Sequence, residues 1–320
     1  MPGLPDSGSR PPLVVVWRVT ERCDTACAFC AYDVTLRRAR READAAEVRR
    51  LGALIGGWAR GRRALLSFLG GEPLLWGPLG EVVEALAGAV GLAVTTNGRA
   101  LVEGRMPFIG ALDELTVSID GPPEVHDALR GRPGGRALLE ALARVRRVGR
   151  RPWLRVNTVL MRQSVEHLPA LVRLVAEAGA DELTFNALGG RDRPEFYPGH
   201  ALRREDVAHL TATIGEVQAE AASRGLVLSG SPAYLRRLRA WAEGQRLPVE
   251  DCGPGRDFWF VEVDRLAPCS FAPELGVAVE GLRSWEDLDA VEGRLAARRE
   301  AGRPAVCGDC PSTQQHGKWR

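Results

Sequence analysis

Residues 23–30 read Cys23-Asp24-Thr25-Ala26-Cys27-Ala28-Phe29-Cys30 and closely follow the apolar run Leu13–Val19. The β-branched residues of that run are typical of a buried strand, so the three cysteines stand at its carboxyl end in a C-x3-C-x2-C spacing. Three thiolates are one fewer than the four that close an iron–sulfur cluster, which leaves one iron open to another ligand. Structural zinc prefers four ligands in C-x2-C pairs, so a partial zinc site or three unrelated thiols are the weaker alternatives.

The spacing resembles the signature of the radical S-adenosylmethionine (SAM) superfamily. The resemblance implies that Cys23, Cys27 and Cys30 hold a [4Fe–4S] cluster whose open iron binds the amino and carboxylate groups of the methionine moiety of SAM. It also implies that one electron from the reduced cluster breaks the C5′–S bond of SAM. The resulting 5′-deoxyadenosyl radical then takes a hydrogen atom from an unactivated C–H bond. Such an enzyme needs an electron donor such as flavodoxin or ferredoxin.

Composition excludes several classes of protein. The chain has 320 residues, with 43 Lys and Arg against 41 Asp and Glu, and seven cysteines. The balanced charge gives no electrostatic case for a nucleic-acid partner, and the odd number of cysteines suits metal ligation better than disulfides. Residues 1–12 are polar, lack the apolar core of a signal peptide and are predicted to be flexible. Because no apolar stretch is long enough to span a membrane, we expect a cytoplasmic protein without a membrane partner.

Short apolar runs alternate with helix-length segments from Leu13 onward. The predicted strands are Leu13–Val19, Ala64–Leu69, Leu92–Thr96, Glu114–Ile119, Trp153–Leu160 and Glu182–Asn186. The predicted helices between them are Ala45–Trp58, Leu79–Ala89, Leu101–Ile109, Gly135–Val148 and Val165–Ala178. This alternation favours βαβ units and an α/β fold with a parallel sheet. Six units are fewer than the eight of a closed barrel, so a partial (β/α)6 TIM-like barrel fits, and it is the fold that the resemblance implies.

The chain is predicted to divide into four parts. A flexible N-terminus (1–12) precedes the partial barrel (13–190), which is followed by a helical connection (191–250) and a C-terminal domain (251–320). In the connection, Arg203–Arg224 and Ser231–Glu243 have the pattern of amphipathic helices. In the last part, the sequence predicts a hairpin over Phe258–Ser270.

Polar and glycine-bearing segments follow the predicted strands at their carboxyl ends. Gly70–Pro73 follows the second strand, Asn97 the third and Ser118–Asp120 the fourth, and Asn157 lies within the fifth. Since the carboxyl ends of parallel strands meet at one edge of a sheet, we expect these residues to form one site with the cysteines.

Gly70-Gly71-Glu72-Pro73 matches the GGEP element of the family. A glycine pair lets the backbone approach a ligand closely, although glycine and proline also mark ordinary turns. By the resemblance, Glu72 and the neighbouring carbonyls accept hydrogen bonds from the SAM ammonium group.

The remaining assignments to SAM also come from the resemblance. Ser118 and Asp120 are placed beside the ribose or the carboxylate, and Arg130 is a candidate for the carboxylate. His126 is better explained as a helix-start residue with local hydrogen bonds. Asn157 and the backbone at Leu188 are predicted to contact the nucleoside, and Phe29 to contact the adenine. Asn97, at the end of the third predicted strand, is also assigned to the SAM site.

The other four cysteines are Cys252, Cys269, Cys307 and Cys310, of which the last two form a C-x2-C pair. Four thiolates suit zinc or an iron–sulfur cluster, and spacing does not separate these. A hairpin flanked by cysteines and followed by C-x2-C resembles the twitch domain, a shortened relative of the SPASM domain, in which four cysteines hold an auxiliary [4Fe–4S] cluster. Asp264 stands where that family often has a turn glycine, so the turn is expected to differ. A full SPASM domain needs seven cysteines of its own and is excluded.

Three plus four ligands use every cysteine, so no thiol remains to donate a hydrogen atom to a substrate radical. The resemblance therefore favours a net oxidation with the auxiliary cluster as electron acceptor. The first hypothesis is dehydrogenation of a small molecule such as an aminocyclitol or sugar, because only about twelve polar residues precede the first strand, too few for a leader-peptide domain. The alternative is a crosslink or side-chain oxidation in a ribosomally made peptide. A non-catalytic metal-binding scaffold is the third and weakest reading.

Overall fold

The computed structural model describes residues 12–30, 39–59, 62–188, 195–247, 255–301 and 305–310. In the described part of the chain, ten strands form one sheet in the order β10-β9-β8-β1-β2-β3-β4-β5-β6-β7. The predicted flexible N-terminus lies, apart from Pro12, outside the described residues. Among the described helices, none is long and apolar enough to cross a bilayer.

The strands are β1 Leu13–Thr20, β2 Ala64–Gly70, β3 Gly91–Thr96, β4 Glu114–Ser118, β5 Trp153–Leu160, β6 Glu182–Ala187, β7 Val227–Leu228, β8 Phe258–Glu262, β9 Arg265–Ala267 and β10 Val277–Ala278. The α-helices are α1 Ala45–Trp58, α2 Leu79–Leu86, α3 Arg99–Val102, α4 Pro123–Arg130, α5 Gly135–Val145, α6 Leu168–Glu177, α7 Tyr197–His200, α8 Arg204–Ser223, α9 Pro232–Ala242 and α10 Trp285–Ala301. Short 3-10 turns cover Pro73–Leu75, Pro107–Ala111, Val165–His167, Pro273–Leu275, Val279–Gly281 and Ala305–Asp309.

Strands β1 to β7 pair in parallel, each with its neighbour in sequence. Every residue of β1 is buried, as expected for a strand in the interior of a parallel sheet. Helices between successive strands supply the crossovers, so the predicted α/β alternation is confirmed. The carboxyl ends of β1 to β6 therefore lie at one edge of the sheet.

The two faces of the sheet differ in what covers them. Alternate residues of β1, such as Val15 and Trp17, pack with Leu51 of α1 and the other helices in the main core. The residues between them, Val14 and Val16, join a small cluster that contains no residue of a described α-helix. Helices on one face only are what the wall of a barrel requires, because its other face points inward.

One predicted helix is wrong. The segment Leu101–Ile109 is not one helix: α3 ends at Val102, and a 3-10 turn begins at Pro107. Gly104 has a φ of 71°, which interrupts a right-handed helix, and a proline favours the first turn of a new one. The predicted helix Val165–Ala178 similarly begins with a 3-10 turn before α6.

The structure also contains elements that the sequence analysis missed. These are α7, β7, β10, α10 and the pairing of β8 with β1, whereas α4 was anticipated only in the interpretation of His126 as a helix-start residue. The two-residue strand β7 extends the sheet within the segment predicted as a helical connection. The proposed boundaries between the four parts stay predictions.

The predicted hairpin is formed by β8 and β9, and β8 lies parallel to β1. The residue with a left-handed backbone in its turn is Val263 (φ 57°), next to Asp264. A β-branched residue seldom adopts this conformation, and two contacts hold it. Its N–H donates to the carbonyl of Arg18 (3.0 Å), and its carbonyl accepts from Trp17 Nε1 (3.0 Å). Two hydrogen bonds to β1 thus hold the left-handed backbone of this turn, at a place where a glycine would adopt that conformation without strain.

Trp259 of β8 is the clearest test of this attachment, since its side chain is fully buried and stacks on Trp58 at 5.3 Å between ring centroids. We expect Trp259→Ala to lower the free energy of unfolding by about 3–5 kcal/mol, because it removes a large buried ring. Trp285→Ala, at a tryptophan that is 46% exposed, should cost less than about 1 kcal/mol. Urea denaturation of both variants measures the difference, and equal losses would contradict the role of β8 in the core.

Candidate active site

The three cysteines of the loop after β1 lie near one another. Cys23 is exposed, Cys27 is buried and Cys30 is partly buried. The N–H of Cys30 donates to the carbonyl of Cys27 (3.0 Å), which closes the loop in a turn. Although part of Cys23 is exposed, desolvation of its thiol raises its pKa to about 11, and burial also raises the pKa of Cys27, with a further contribution from Cys30 to both. With raised pKa values, the thiols of Cys23 and Cys27 are not activated nucleophiles, and a metal that binds them must displace their protons.

The backbone of the glycine pair touches this loop. A Cβ on Gly71 would lie 2.3 Å from the carbonyl oxygen of Arg22 and 2.9 Å from Cβ of Cys23. A Cβ on Gly70 would lie 2.9 Å from Cγ2 of Thr20. The N–H groups of Gly71 and Glu72 donate to the carbonyls of Thr20 (2.8 Å) and Arg22 (2.7 Å). The Gly-Gly pair is therefore required by close packing against the residues that lead into the cysteine loop.

Glu72 is almost fully buried and its carboxylate accepts three hydrogen bonds. The donors are the N–H of Leu74 (3.1 Å), Oγ1 of Thr96 (2.8 Å) and the N–H of Asn97 (2.7 Å). Burial raises the pKa of Glu72 to about 7 despite these donors. A carboxylate has about four acceptor positions, so this side chain mainly joins the ends of β2 and β3.

Asn97 continues this chain of contacts into the cysteine loop. Its Nδ2 donates to Oδ1 of Asp24 (2.8 Å) and to Oγ1 of Thr25 (3.1 Å). Arg99 Nη1 also lies 3.3 Å from Oδ2 of Asp24. The structure thus places Asn97 as a support of the loop.

Asp120 and Arg130 form a second buried group beside the cysteines. Asp120 Oδ2 accepts from Nε of Arg130 (2.7 Å), and Oδ1 accepts from the N–H of Val159 (2.8 Å). Nη1 of Arg130 lies 3.9 Å from Sγ of Cys27, and its Cζ lies 5.7 Å from the centre of the Phe29 ring. A single guanidinium therefore contacts the segment after β4, the cysteine loop and the aromatic residue within it.

His126 is buried in α4, and its Nδ1 accepts from the N–H of Asp120 (3.2 Å). Burial lowers its pKa to about 4, and the nearby charge of Arg130 acts in the same direction. The ring is therefore neutral at pH 7, with its proton on Nε2. The expected local hydrogen bond at a helix start is confirmed.

The remaining predicted residues lie along the same edge. Ser118 and Asn157 are register partners on β4 and β5, and both are partly buried. Asn157 Oδ1 accepts from Oγ1 of Thr184 (3.0 Å). The N–H of Leu188 donates to the carbonyl of Leu160 (3.3 Å). Ser118 and Asn157 thus lie side by side, as expected for residues near the carboxyl ends of neighbouring parallel strands.

The C-terminal cysteines are described only in part. Cys269 is buried among Val14, Phe258 and Phe260, on the face of the sheet without α-helices. Cys307 lies in a 3-10 turn, and Cys310, just after it, is buried. Cys252 lies outside the described residues, so the four-thiol site stays a prediction.

Within the described ranges, no group of three or more His, Cys, Asp and Glu side chains is arranged around a single ion. A cluster differs from an ion, because each thiolate of a cluster binds its own iron and the ligands need not meet at one centre. The contacts that sequence reasoning missed are those of Asp24, Thr25 and Thr96. Of these residues, only Thr96 could have been found from the sequence, because it directly precedes Asn97 at the end of a predicted strand.

Comparison with known proteins identifies the family. The sequence profile of the radical SAM superfamily matches residues 17–175. The PqqA peptide cyclase of Xanthomonas campestris pv. campestris (strain B100) is 30% identical over 326 aligned positions, which cover 95% of this chain and 80% of the cyclase. The chain belongs to the radical SAM superfamily. Enzymes of this superfamily use a [4Fe–4S] cluster and SAM.

Solved structures agree on the fold. Streptococcus suis SuiB bound to S-adenosylmethionine superimposes with a TM-score of 0.68 at 18% identity, over 94% of this chain and 72% of SuiB. A second SuiB structure, bound to precursor peptide SuiA, gives a TM-score of 0.62 at 18% identity, and the match covers 81% of this chain and 60% of SuiB. The native anSMEcpe with bound AdoMet and Cp18Cys peptide gives a TM-score of 0.66 at 16% identity, and the match covers 95% of this chain and 88% of anSMEcpe. The partial barrel predicted from the sequence is confirmed.

The close approach of Gly71 can be tested by adding one methyl group. We expect Gly71→Ala to lower the iron content after anaerobic reconstitution by about four per chain, because the new Cβ displaces the backbone that leads to Cys23. Gly77→Ala is the matched control, since a Cβ there meets nothing within 4 Å. Iron is measured colorimetrically, and folding by circular dichroism. Unchanged iron in a folded Gly71→Ala protein would show that the loop does not depend on this contact.

Proposed function

We propose that this radical SAM enzyme modifies a ribosomally made peptide, by a crosslink or a side-chain oxidation. The observation that carries the proposal is the close packing of Gly71 against Cys23 in the three-cysteine loop, in a chain 30% identical over most of its length to a protein named as a peptide cyclase. The small-molecule oxidation favoured by the sequence analysis has weaker support. SuiB with its precursor peptide and anSMEcpe with its peptide add to the case for a peptide.

The residues that would hold the cofactors fit the chemistry required. Cys23, Cys27 and Cys30 lie in one short loop, with Cys23 exposed, Cys27 buried and Cys30 partly buried, and three thiolates leave one iron for SAM. The carbonyls beside Glu72 accept from the ammonium group of SAM in this proposal. When bound, the cluster and SAM supply a carbon radical that removes hydrogen from an unactivated C–H bond.

Residues around the carboxyl ends of β4, β5 and β6 and in the cysteine loop are assigned to positioning. In this proposal Arg130 presents its guanidinium to the SAM carboxylate, and Asp120 holds that guanidinium by the 2.7 Å hydrogen bond. Ser118, Asn157 and the carbonyl at Leu188 contact the nucleoside, and Phe29 packs on the adenine. Positioning matters because a reactive centre must lie close to one substrate hydrogen and away from water.

We extend the proposal to a twitch-type auxiliary centre. Cys252, Cys269, Cys307 and Cys310 would be its four ligands, and a closed set of four thiolates suits an electron-transfer [4Fe–4S] cluster. In support, Cys269 is buried beside the barrel interior, and Nη1 of Arg237 donates to the carbonyl of Cys310 (3.4 Å). Structural zinc is the alternative for these residues.

The substrate class is tested by offering both candidates. The reconstituted enzyme receives SAM, dithionite and either synthetic precursor peptides encoded next to its gene or a panel of aminocyclitols and sugars. We expect a peptide to lose two hydrogen atoms by mass spectrometry, with 5′-deoxyadenosine formed in proportion. Deuterium at the abstracted position should appear in 5′-deoxyadenosine. Oxidation of an aminocyclitol with every peptide unchanged would return the small-molecule hypothesis.

The auxiliary centre is tested by replacing Cys307 and Cys310 together with alanine. We expect iron to fall from about eight to about four per chain, and 5′-deoxyadenosine still to form, because Cys23, Cys27 and Cys30 are intact. Modified peptide should be almost lost, since the electron removed from the substrate has no acceptor. Asp309→Ala, between the two cysteines, is the matched control. Product in full proportion to 5′-deoxyadenosine in the double variant would make the centre structural and the reaction redox-neutral.

A further inference from the structure

We propose that a pocket between α3, the α4–α5 turn and the start of α5 is the docking point for an acidic electron-donor protein of the flavodoxin class. The inference rests on the proposed function, because only an enzyme with a cluster to reduce needs such a donor. One electron leaves the donor and is taken up by the cluster of Cys23, Cys27 and Cys30. No atom is transferred, and the donor ends oxidised by one electron.

The pocket lies outside the barrel wall. Its volume is about 230 Å³, and Val102 of α3 and Leu138 of α5 contribute to its lining. Leu138 belongs to the core between the helices and the sheet, whereas the inward face of the sheet carries Val14 and Phe258. A protein at this pocket therefore approaches the cysteine loop from the helix-covered side of the sheet, and Arg130, which is proposed to face the SAM carboxylate, also lines the pocket.

The lining of the pocket includes one residue of the cysteine loop and residues that contact that loop. Thr25, which lies between Cys23 and Cys27 in the sequence, lines the pocket, as does Asn97, which donates to Thr25. Arg130 also lines it and reaches within 3.9 Å of Sγ of Cys27. Electron transfer slows steeply with distance, so a donor seated here has a short path to the cluster.

The charge of the lining selects an acidic partner. It contains three arginines, Arg99, Arg130 and Arg132, against one acidic residue, Glu103. Arg99 pairs with Glu103 (2.9 Å) and Arg130 with Asp120 (2.7 Å). Arg132 makes no ion pair with any residue in the described ranges, so its charge is available to a carboxylate of a docked protein. Such rim charges act mainly on association rate.

His126 adds a neutral ring to the same lining. Its side chain is 3% exposed, lines the pocket, and has Nδ1 occupied by the N–H of Asp120. The proton is therefore on Nε2. The neutral ring adds no negative charge to a lining that also contains Arg130 and Arg132.

The test is charge reversal at Arg132, with the same change at Arg147 as control. Arg147 is exposed and follows α5 at its far end, at the opposite edge of the sheet. Each protein is reconstituted, its iron content is matched, and 5′-deoxyadenosine formation is followed with either dithionite or a reduced, negatively charged bacterial flavodoxin. The flavodoxin series is repeated at low and high salt.

With flavodoxin at low salt, we expect Arg132→Glu to form 5′-deoxyadenosine about tenfold more slowly than wild type and Arg147→Glu to match wild type. The difference should shrink at high salt, because screening weakens the repulsion. With dithionite, which needs no docking, all three proteins should react at the same rate.

The other outcomes separate the two proposals. No 5′-deoxyadenosine from wild type with dithionite would overturn the proposed function itself. Equal rates of Arg132→Glu and wild type with flavodoxin, or an equal loss in Arg147→Glu, would overturn the docking site and leave the function standing. A loss with dithionite would assign the pocket to SAM instead. A raised KM for the peptide, with an unchanged rate of 5′-deoxyadenosine formation from flavodoxin, would assign the pocket to peptide binding.

Discussion

The buried carboxylate of Glu72 is the constraint on which the site depends. It accepts from Leu74, Thr96 and Asn97, so one side chain holds the end of β2 against the end of β3. Asn97 then donates to Asp24 and Thr25, which carries the constraint into the cysteine loop. Hydrogen bonds to a charged group contribute about 1.5–3 kcal/mol each, which offsets much of the cost of burying the carboxylate. The pKa of about 7 indicates that the offset is incomplete.

The arrangement of the sheet explains why this constraint acts on one site. Parallel pairing brings the carboxyl ends of β1 to β6 to one edge, and the helices cover only the face that carries residues such as Trp17. The face with Val14 and Cys269 is left to the barrel interior. Helix packing can therefore stabilise the fold without occupying the space that cofactors and substrate need. The hairpin that contains β8 joins the same sheet through β1 and brings Cys269 to that face.

Much of the fold could be predicted because its signals are local. Helix Ala45–Trp58 and strand Trp153–Leu160 have the predicted bounds, since each is a continuous pattern between clear breaks. The failure at Leu101–Ile109 is also local: apolar spacing favoured a helix, and Gly104 and Pro107 outweighed it. The pairing of β8 with β1 was out of reach, because residues about 245 positions apart leave no periodicity in the sequence. The sequence likewise predicted which residues line the site edge, but not that Glu72 and Asn97 serve mainly as supports.

The ion pair of Asp120 and Arg130 indicates what the site is built to do. Both side chains are nearly buried, and a buried ion pair is weak evidence for stability, because desolvation of two charges can exceed their attraction. An apolar pair of similar volume would hold β4 and α4 together as well. What an apolar pair would not provide is a positive charge 3.9 Å from Sγ of Cys27 and 5.7 Å from the ring of Phe29. A fixed cation there favours added negative charge on the cysteine loop, which is the condition that uptake of an electron creates. We therefore interpret the pair as part of the chemistry of the site rather than of the stability of the fold.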